Sequence, residues 1–204
     1  MKEDKEILRK KIWNAFPKSS YKRIPNYYGA VKAADNLRNT FEWLNSKIIF
    51  SSPDSAQIKV REYALLDGKT LIMATPKLKN GYLIIKPKDV KYLTNTAATI
   101  KGAFKFVESI KKIPKIDLIV EGSVAVDLTG GRLGKGGGFA DQEISHLLKI
   151  KSITKDTLIV TLVHEIQIID EVPIEAHDEK INMIVTPERI IRLKKKLNNS
   201  FRVK

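Results

Sequence analysis

IDLIVEGSVAVDLTGGRLGKGGGFADQEISHLLKIK, residues 116–151, is the stretch on which the reading of this chain turns. Residues 116–127 form a continuous run rich in β-branched and apolar side chains, the pattern of a central parallel strand covered on both faces. A helix is predicted over Asp141–Lys151. Between them, TGGRLGKGGG packs in six of the eleven glycines of the chain: Gly130, Gly131, Gly134, Gly136, Gly137 and Gly138. Working outward, TLIVTLV at 157–163 repeats the buried-strand pattern, and INMIV at 181–185 is a shorter version of it. Lys47–Phe50, Thr70–Ala74 and Tyr82–Ile85 also read as strands.

Helical spacing puts Ile7, Leu8, Ile12, Ala15 and Phe16 on one side of a helix over residues 3–16. A second helix is expected after Pro25, with Asn26 as N-cap and Tyr27, Val31, Ala34, Leu37, Phe41 and Leu44 as its inner stripe. Ala56–Leu66 reads as a helix closed by Asp67-Gly68, and Ala97–Ser109 as helical or irregular. Helices alternating with buried strands predict one α/β domain over residues 1–204, with an open, mostly parallel sheet flanked by helices. In such folds ligands sit beyond the C-terminal strand ends, and the glycine loop follows such an end.

Glycine permits positive φ and close approach of a ligand to the main chain. Arg132 and Lys135 add fixed positive charge to the same loop. A strand, a basic glycine loop and a helix N-terminus suit a phosphate, because free N–H groups and the helix dipole both favour an anion. The loop matches neither GxxxxGK[ST] nor GxGxxG, and a mobile connection would be written with similar residues. Asp141, in the first helical turn, is either a dipole-stabilised helix-start carboxylate or, with Asp178, a site for Mg²⁺, which needs few protein ligands.

The 204 residues include 37 Lys+Arg against 23 Asp+Glu, a net charge of +14, which favours anionic partners such as nucleotides. Much of this charge lies in Lys2–Lys11 and in the basic segment 189–204, where solvated helix faces or tails are the simpler account. The chain has no cysteine, so disulfides and thiolate metal sites are excluded. No apolar run approaches the ~18 residues of a membrane span. The charged start MKEDKEILRKK is unlike a signal peptide. A cytoplasmic protein is expected, as a monomer or small homo-oligomer. His146, His164 and His177 lack metal-ligand spacing, and no GxSxG elbow occurs.

GGRLGKGGGFAD followed by HEIQIIDEVPIEAHDEKINMIVTPERII resembles the 5-formyltetrahydrofolate cyclo-ligases, or methenyltetrahydrofolate synthetases. That family carries a basic glycine loop of the type RLGxGxGYYD and a later aspartate in a Pro-x-x-x-x-Asp context. Lys5-Glu6-Ile7-Leu8-Arg9 resembles its KxxLR helix. RIPNYYGAVKAADNL, SPDSAQIKVREYALLDGKTLIMATPKL and DLIVEGSVAVD are similar to a branch found as archaeal stand-alone proteins and as a domain of an animal protein that also carries an RNA-recognition domain.

The resemblance implies a NagB/RpiA/CoA-transferase-like α/β fold. It implies an ATP- and Mg²⁺-dependent ligase of one-carbon metabolism that turns 5-formyltetrahydrofolate into 5,10-methenyltetrahydrofolate. By position, Lys5 and Arg9 would reach the ATP phosphates. Arg132, Gly134, Lys135, Gly136, Gly137 and Gly138 would form the phosphate cradle, with Arg132 and Lys135 the catalytic cations. Asp141 and Asp178 would serve Mg²⁺. The family's paired tyrosines are Phe139 and Ala140 here, so Phe139 would stack on substrate without a hydroxyl. The upstream folate-binding glutamate has no clear counterpart near Ile58 and Lys59, which leaves Gln57, Arg61 or Glu62 as substitutes and a methanopterin as another substrate. A non-catalytic nucleotide- or RNA-binding protein on the same fold is the alternative.

Overall fold

The computed structural model describes residues 2–18, 21–75, 78–107, 112–175 and 178–193. Among these, seven strands form one sheet in the order β3-β2-β1-β4-β7-β8-β9. They are β1 (Ile48–Ser51), β2 (Thr70–Ala74), β3 (Tyr82–Ile85), β4 (Leu118–Glu121), β7 (Leu158–Leu162), β8 (Met183–Val185) and β9 (Ile190–Arg192). The five inner strands run parallel, and β3 and β9 close the edges antiparallel. This is the mostly parallel, helix-flanked sheet that the apolar runs predicted. From β1 the chain moves to one side of the sheet and then returns, through β4, to the other. The crevice at such a reversal is where open α/β sheets bind ligands.

Alternation along the strands divides the core. Ile49, Leu118, Val120 and Val160 pack on one face with Ile12 and Trp13 of α1 (Lys2–Asn14), Ala33 and Leu37 of α2 (Ala30–Arg38), and Val60 and Ala64 of α4 (Ile58–Leu66). Phe50, Ile72, Ile119 and Ile184 face the other way, onto Ile144 and Leu147 of α8 (Phe139–Lys149). Each fully buried aliphatic side chain contributes about 1.5–3 kcal/mol, so both helix layers are held firmly to the sheet. A third cluster joins Leu71 and Met73 of β2 to Val90, Ala97 and Ala103 of three short helices, α5 (Pro87–Val90), α6 (Thr94–Ala97) and α7 (Ile100–Ala103).

Several local expectations change. The predicted long second helix is two helices. Thr40 ends α2 and starts α3 (Phe41–Asn45): its hydroxyl donates to the Leu37 carbonyl and accepts from the Trp43 N–H. A threonine that serves both neighbours in this way offers the backbone an alternative to continuing the helix. Beyond Thr40 the stripe turns, so that Phe41 and Leu44 are exposed while Trp43 is buried; before it, Tyr27, Ala34 and Leu37 of the expected stripe are buried, joined by Ala33, and Val31 faces solvent. The N-cap of α2 is Gly29, not Asn26. Ile7 of α1 points to solvent, and Trp13 takes the buried place instead. Residues 94–103 form two single turns of helix, and Ser109 lies outside the described residues, as do His177 and the basic segment from Lys194 onward. Arg192 belongs to edge strand β9 and pairs with Glu42.

The run 116–127 is also not one strand. β4 stops at Glu121, and Gly122 and Ser123 break the ladder. A separate strand β5 (Ala125–Val126) then pairs antiparallel with β6 (Arg132–Leu133). Gly130 and Gly131 therefore belong to a hairpin turn, not to the loop before α8. Asp127 organises that turn by accepting the N–H groups of Thr129, Gly131 and Val172 and the Thr129 hydroxyl. Burial works against its charge, but these donors outweigh burial and hold its carboxyl below the usual range.

Candidate active site at the ends of the central strands

The remaining loop, Gly134–Gly138, leads into α8. Gly138 is its N-cap, at φ 64°, with no side-chain cap hydrogen bond. Helix geometry leaves the first-turn N–H groups without intrahelical partners, a ready setting for an anion. Gly136 has φ 100°, and an added Cβ would lie 3.4 Å from the Arg9 guanidinium carbon. Both the turn and the docking of Arg9 thus require glycine there.

Most of the predicted cations converge on this loop. Arg9 reaches across from α1, its Nε donating to the Gly134 carbonyl at 2.8 Å. Arg132 is buried on β6, with Nη2 donating to Asp141 Oδ1 at 2.9 Å and Nη1 to the Gly122 carbonyl at 3.2 Å. Lys135 crosses the loop to Asp54 Oδ1 at 3.0 Å. Lys5 pairs with Asp178 Oδ2 at 2.6 Å and lies 3.5 Å from Glu175. Asp178 also accepts the Glu175 N–H at 2.8 Å.

Two cavities flank the loop. A smaller one of about 480 Å³ lies over the ends of β1, β2 and β4, bounded by Ser52, Thr75, Glu121, Lys135, Phe139 and Glu143. A larger one of about 700 Å³ is bounded by Lys5, Arg9, Gly136, His146, Lys149 and Asp178. Arg132, Gly134, Gly138 and Asp141 line both and form the wall between them. Both volumes lie within the range of small-molecule sites. A groove of about 810 Å³ beside Tyr27, Tyr28 and His164 contains none of the predicted site residues.

Gln57 and Arg61 do not reach these cavities. The Arg61 side chain is turned into the protein, donating to the carbonyls of Ala98 (2.7 Å), Ser52 (2.7 Å) and Asp54 (2.9 Å). Burial pulls its pKa down to about 10. It braces the segment that carries Asp54 from behind the cavity wall. Gln57 is wholly buried, with neither amide atom paired among the described residues.

Sequence reasoning missed Asp54, Glu121 and Glu143. Glu121 and Glu143 are 1% and 4% exposed, yet both line the smaller cavity. Burial, and then the neighbouring Glu143, raise the Glu121 pKa well above the ordinary carboxylate range. Burial, and then Asp54, push Glu143 up to about 7. Arg132 opposes both shifts without cancelling them. A charged residue inside an apolar strand run was the one available signal, since buried carboxylates rarely occur without a partner.

No group of three His, Asp or Glu side chains among the described residues is arranged to hold a metal ion. Asp141 and Asp178 nonetheless face one cavity. That suits a hydrated Mg²⁺ held mainly by phosphate oxygens, which takes one or two carboxylates. His146 and His164 have local partners instead: Tyr82 stacks on and hydrogen-bonds His146, while His164 Nδ1 accepts the Ile166 N–H. No helix among the described residues is long and apolar enough to cross a membrane.

Comparison with known proteins points the same way. The chain is 34% identical over 202 residues to a methenyltetrahydrofolate synthase domain-containing protein of Mus musculus, covering 92% of this chain and 54% of that one. The counterpart in Danio rerio is 35% identical over 205 residues, with 93% and 54% covered. The chain thus spans about half the length of these curated relatives. A 5-formyltetrahydrofolate cyclo-ligase of Escherichia coli is 30% identical over 84 residues, 41% of this chain and 43% of its own. The fold is similar to that of the Aquifex aeolicus 5,10-methenyltetrahydrofolate synthetase, with a TM-score of 0.62 at 22% identity over 98% of this chain and 99% of that one. The Mycoplasma pneumoniae 5,10-methenyltetrahydrofolate synthetase gives 0.55 at 14% identity, over 89% and 98%. With the family model matched over residues 1–187, the chain belongs to the 5-formyltetrahydrofolate cyclo-ligase family.

Proposed function

We propose that this protein is an ATP-dependent cyclo-ligase that closes 5-formyltetrahydrofolate, or a related reduced pterin, to the 5,10-methenyl form. The observation that carries this reading is the pair of cavities sharing one wall of Arg132, Asp141 and the glycine loop. A reaction between two bound ligands needs such a shared wall, because most of its acceleration comes from holding the reacting groups together and neutralising charge as it develops.

ATP occupies the larger cavity, its polyphosphate against the loop N–H groups, Lys5 and Arg9. The pterin occupies the smaller cavity against Phe139. The formyl oxygen attacks the γ-phosphorus and ADP leaves. N10 then closes on the formyl carbon, releasing inorganic phosphate and a proton. Arg132, held rigidly by Gly122 and Asp141, sits where both ligands meet and offsets negative charge on the transferring phosphoryl group. Lys135, anchored on Asp54, adds a second cation from the loop. Asp141 and Asp178 would hold Mg²⁺, which supplies charge neutralisation between phosphate oxygens. Lys5 and Arg132, now paired to these carboxylates, would then be shared with the phosphates.

The test is phosphate release that requires both ATP and 5-formyltetrahydrofolate. Arg132→Ala should abolish turnover and the ATP-induced rise in melting temperature. Folded protein that releases no phosphate with both ligands present would remove the cyclo-ligase reading. Salt-dependent RNA binding that nucleotides do not compete would favour the alternative of an RNA-binding protein.

A further inference from the structure

Three residues that line the smaller cavity each carry a buried polar atom with no hydrogen-bond partner among the described residues: Glu121 Oε1, Ser52 Oγ and Arg132 Nε. The three residues are 1%, 3% and 6% exposed. A buried polar group without a partner costs free energy, and three of them in residues lining one cavity point to a ligand that satisfies them as those side chains turn toward it. Glu121 projects from the last residue of β4, and its own carbonyl is already engaged by the Thr161 hydroxyl, which leaves the carboxyl as the free element.

We propose that Glu121 is the specificity-determining residue of this cavity and reads a ring edge carrying two adjacent N–H donors, as in a 2-amino-4-oxopyrimidine. This rests on the reading that the smaller cavity takes the heterocyclic substrate. A carboxylate accepts two parallel N–H bonds from such an edge. The neighbouring ring carbonyl can then accept from the Arg132 Nε–H or the Ser52 hydroxyl. Adenine does not fit, because its amino group adjoins a ring acceptor rather than a second donor, so the site separates the heterocycle from the nucleotide. Burial and Glu143 favour a protonated Glu121 in the empty cavity. The ionised carboxylate is the form that reads the donor pair, so the titration is run above the pH at which Glu121 gives up its proton to solvent.

The test is titration of the full chain with pterin (2-amino-4-oxo) and lumazine (2,4-dioxo), two rings that share N3–H and the 4-oxo group but exchange donor and acceptor at positions 2 and 1. Wild type should prefer pterin at least tenfold. Glu121→Gln should reverse the preference, because an amide donates to the 2-oxo group while accepting the N3–H. The ratio of two ligands on one sample does not depend on how much of the variant is folded. Equal binding of the two rings by wild type, an unchanged preference in the variant, or no binding of either ring or of guanosine would overturn the proposal. Guanosine carries the same edge on a purine. If it binds with the Glu121-dependent preference and pterin does not, Glu121 keeps its role and the reduced-pterin substrate is removed. Ring binding without ATP-dependent phosphate release from 5-formyltetrahydrofolate would remove only the cyclo-ligase reading.

Discussion

Replacing Glu143 by Gln should change how stability depends on pH. Glu143 sits on α8 at the cavity wall, and burial and Asp54 push its pKa from 4.5 to about 7. A carboxyl whose pKa is higher folded than unfolded binds more protons in the folded state between the two values. Its contribution is therefore fully present below pH 4.5 and lost as pH rises through about 7. The gap of about 2.5 pH units, at about 1.36 kcal/mol each, amounts to about 3 kcal/mol. Glu121 acts in the same direction. Glu42, Asp67, Asp127 and Glu165 have lowered pKa values and give the opposite slope, but only below their ordinary values of 3.8 to 4.5. Urea unfolding at constant ionic strength should show wild type losing about 3 kcal/mol between pH 5 and pH 8. Glu143→Gln should lose at least half of that slope and be the more stable protein at pH 8. A wild-type profile that is flat or rises over this window would refute the reasoning.

Truncating Arg61 to Ala leaves the Ala98 carbonyl without its donor, while Ser52 keeps the Ser51 hydroxyl and Asp54 the Gln57 N–H, at a cost of about 1–3 kcal/mol. Chemical denaturation reads that loss, and weaker ligand binding should accompany it as Asp54 and Lys135 shift. Gly136→Ala places a side chain at φ 100° against Arg9. It should cost about 1–2 kcal/mol and weaken ATP binding by calorimetry more than it lowers the melting temperature of the ligand-free protein. Leu147→Ala removes a fully buried contact between α8 and the sheet. A loss of about 2–5 kcal/mol in unfolding free energy is expected, and native-state hydrogen exchange should show α8 opening first.

The sequence by itself determined the sheet and the loop. Runs such as LIVE and TLIVTL declare buried strands because side-chain chemistry repeats with the local backbone period, and clustered glycines declare a turn with positive φ, found at Gly136 and Gly138. These are short-range properties, and β2 and β3 were predicted to the residue. Helix faces were less legible. The stripe through Tyr27, Ala34 and Leu37 is buried as its periodicity implies, and the Thr40 hydroxyl then splits the helix and turns Phe41 and Leu44 to solvent. Only the tertiary structure showed that Glu121, Glu143, Asp54 and Ser52 share one cavity, and that Arg9 docks on Gly134. Parallel strands align their C-terminal ends however far apart they lie in the chain, so the site is built from residues that no local pattern joins. The same packing buried Arg61 behind the wall: its guanidinium finds three carbonyls there, a choice made by distances that exist only once the chain has folded.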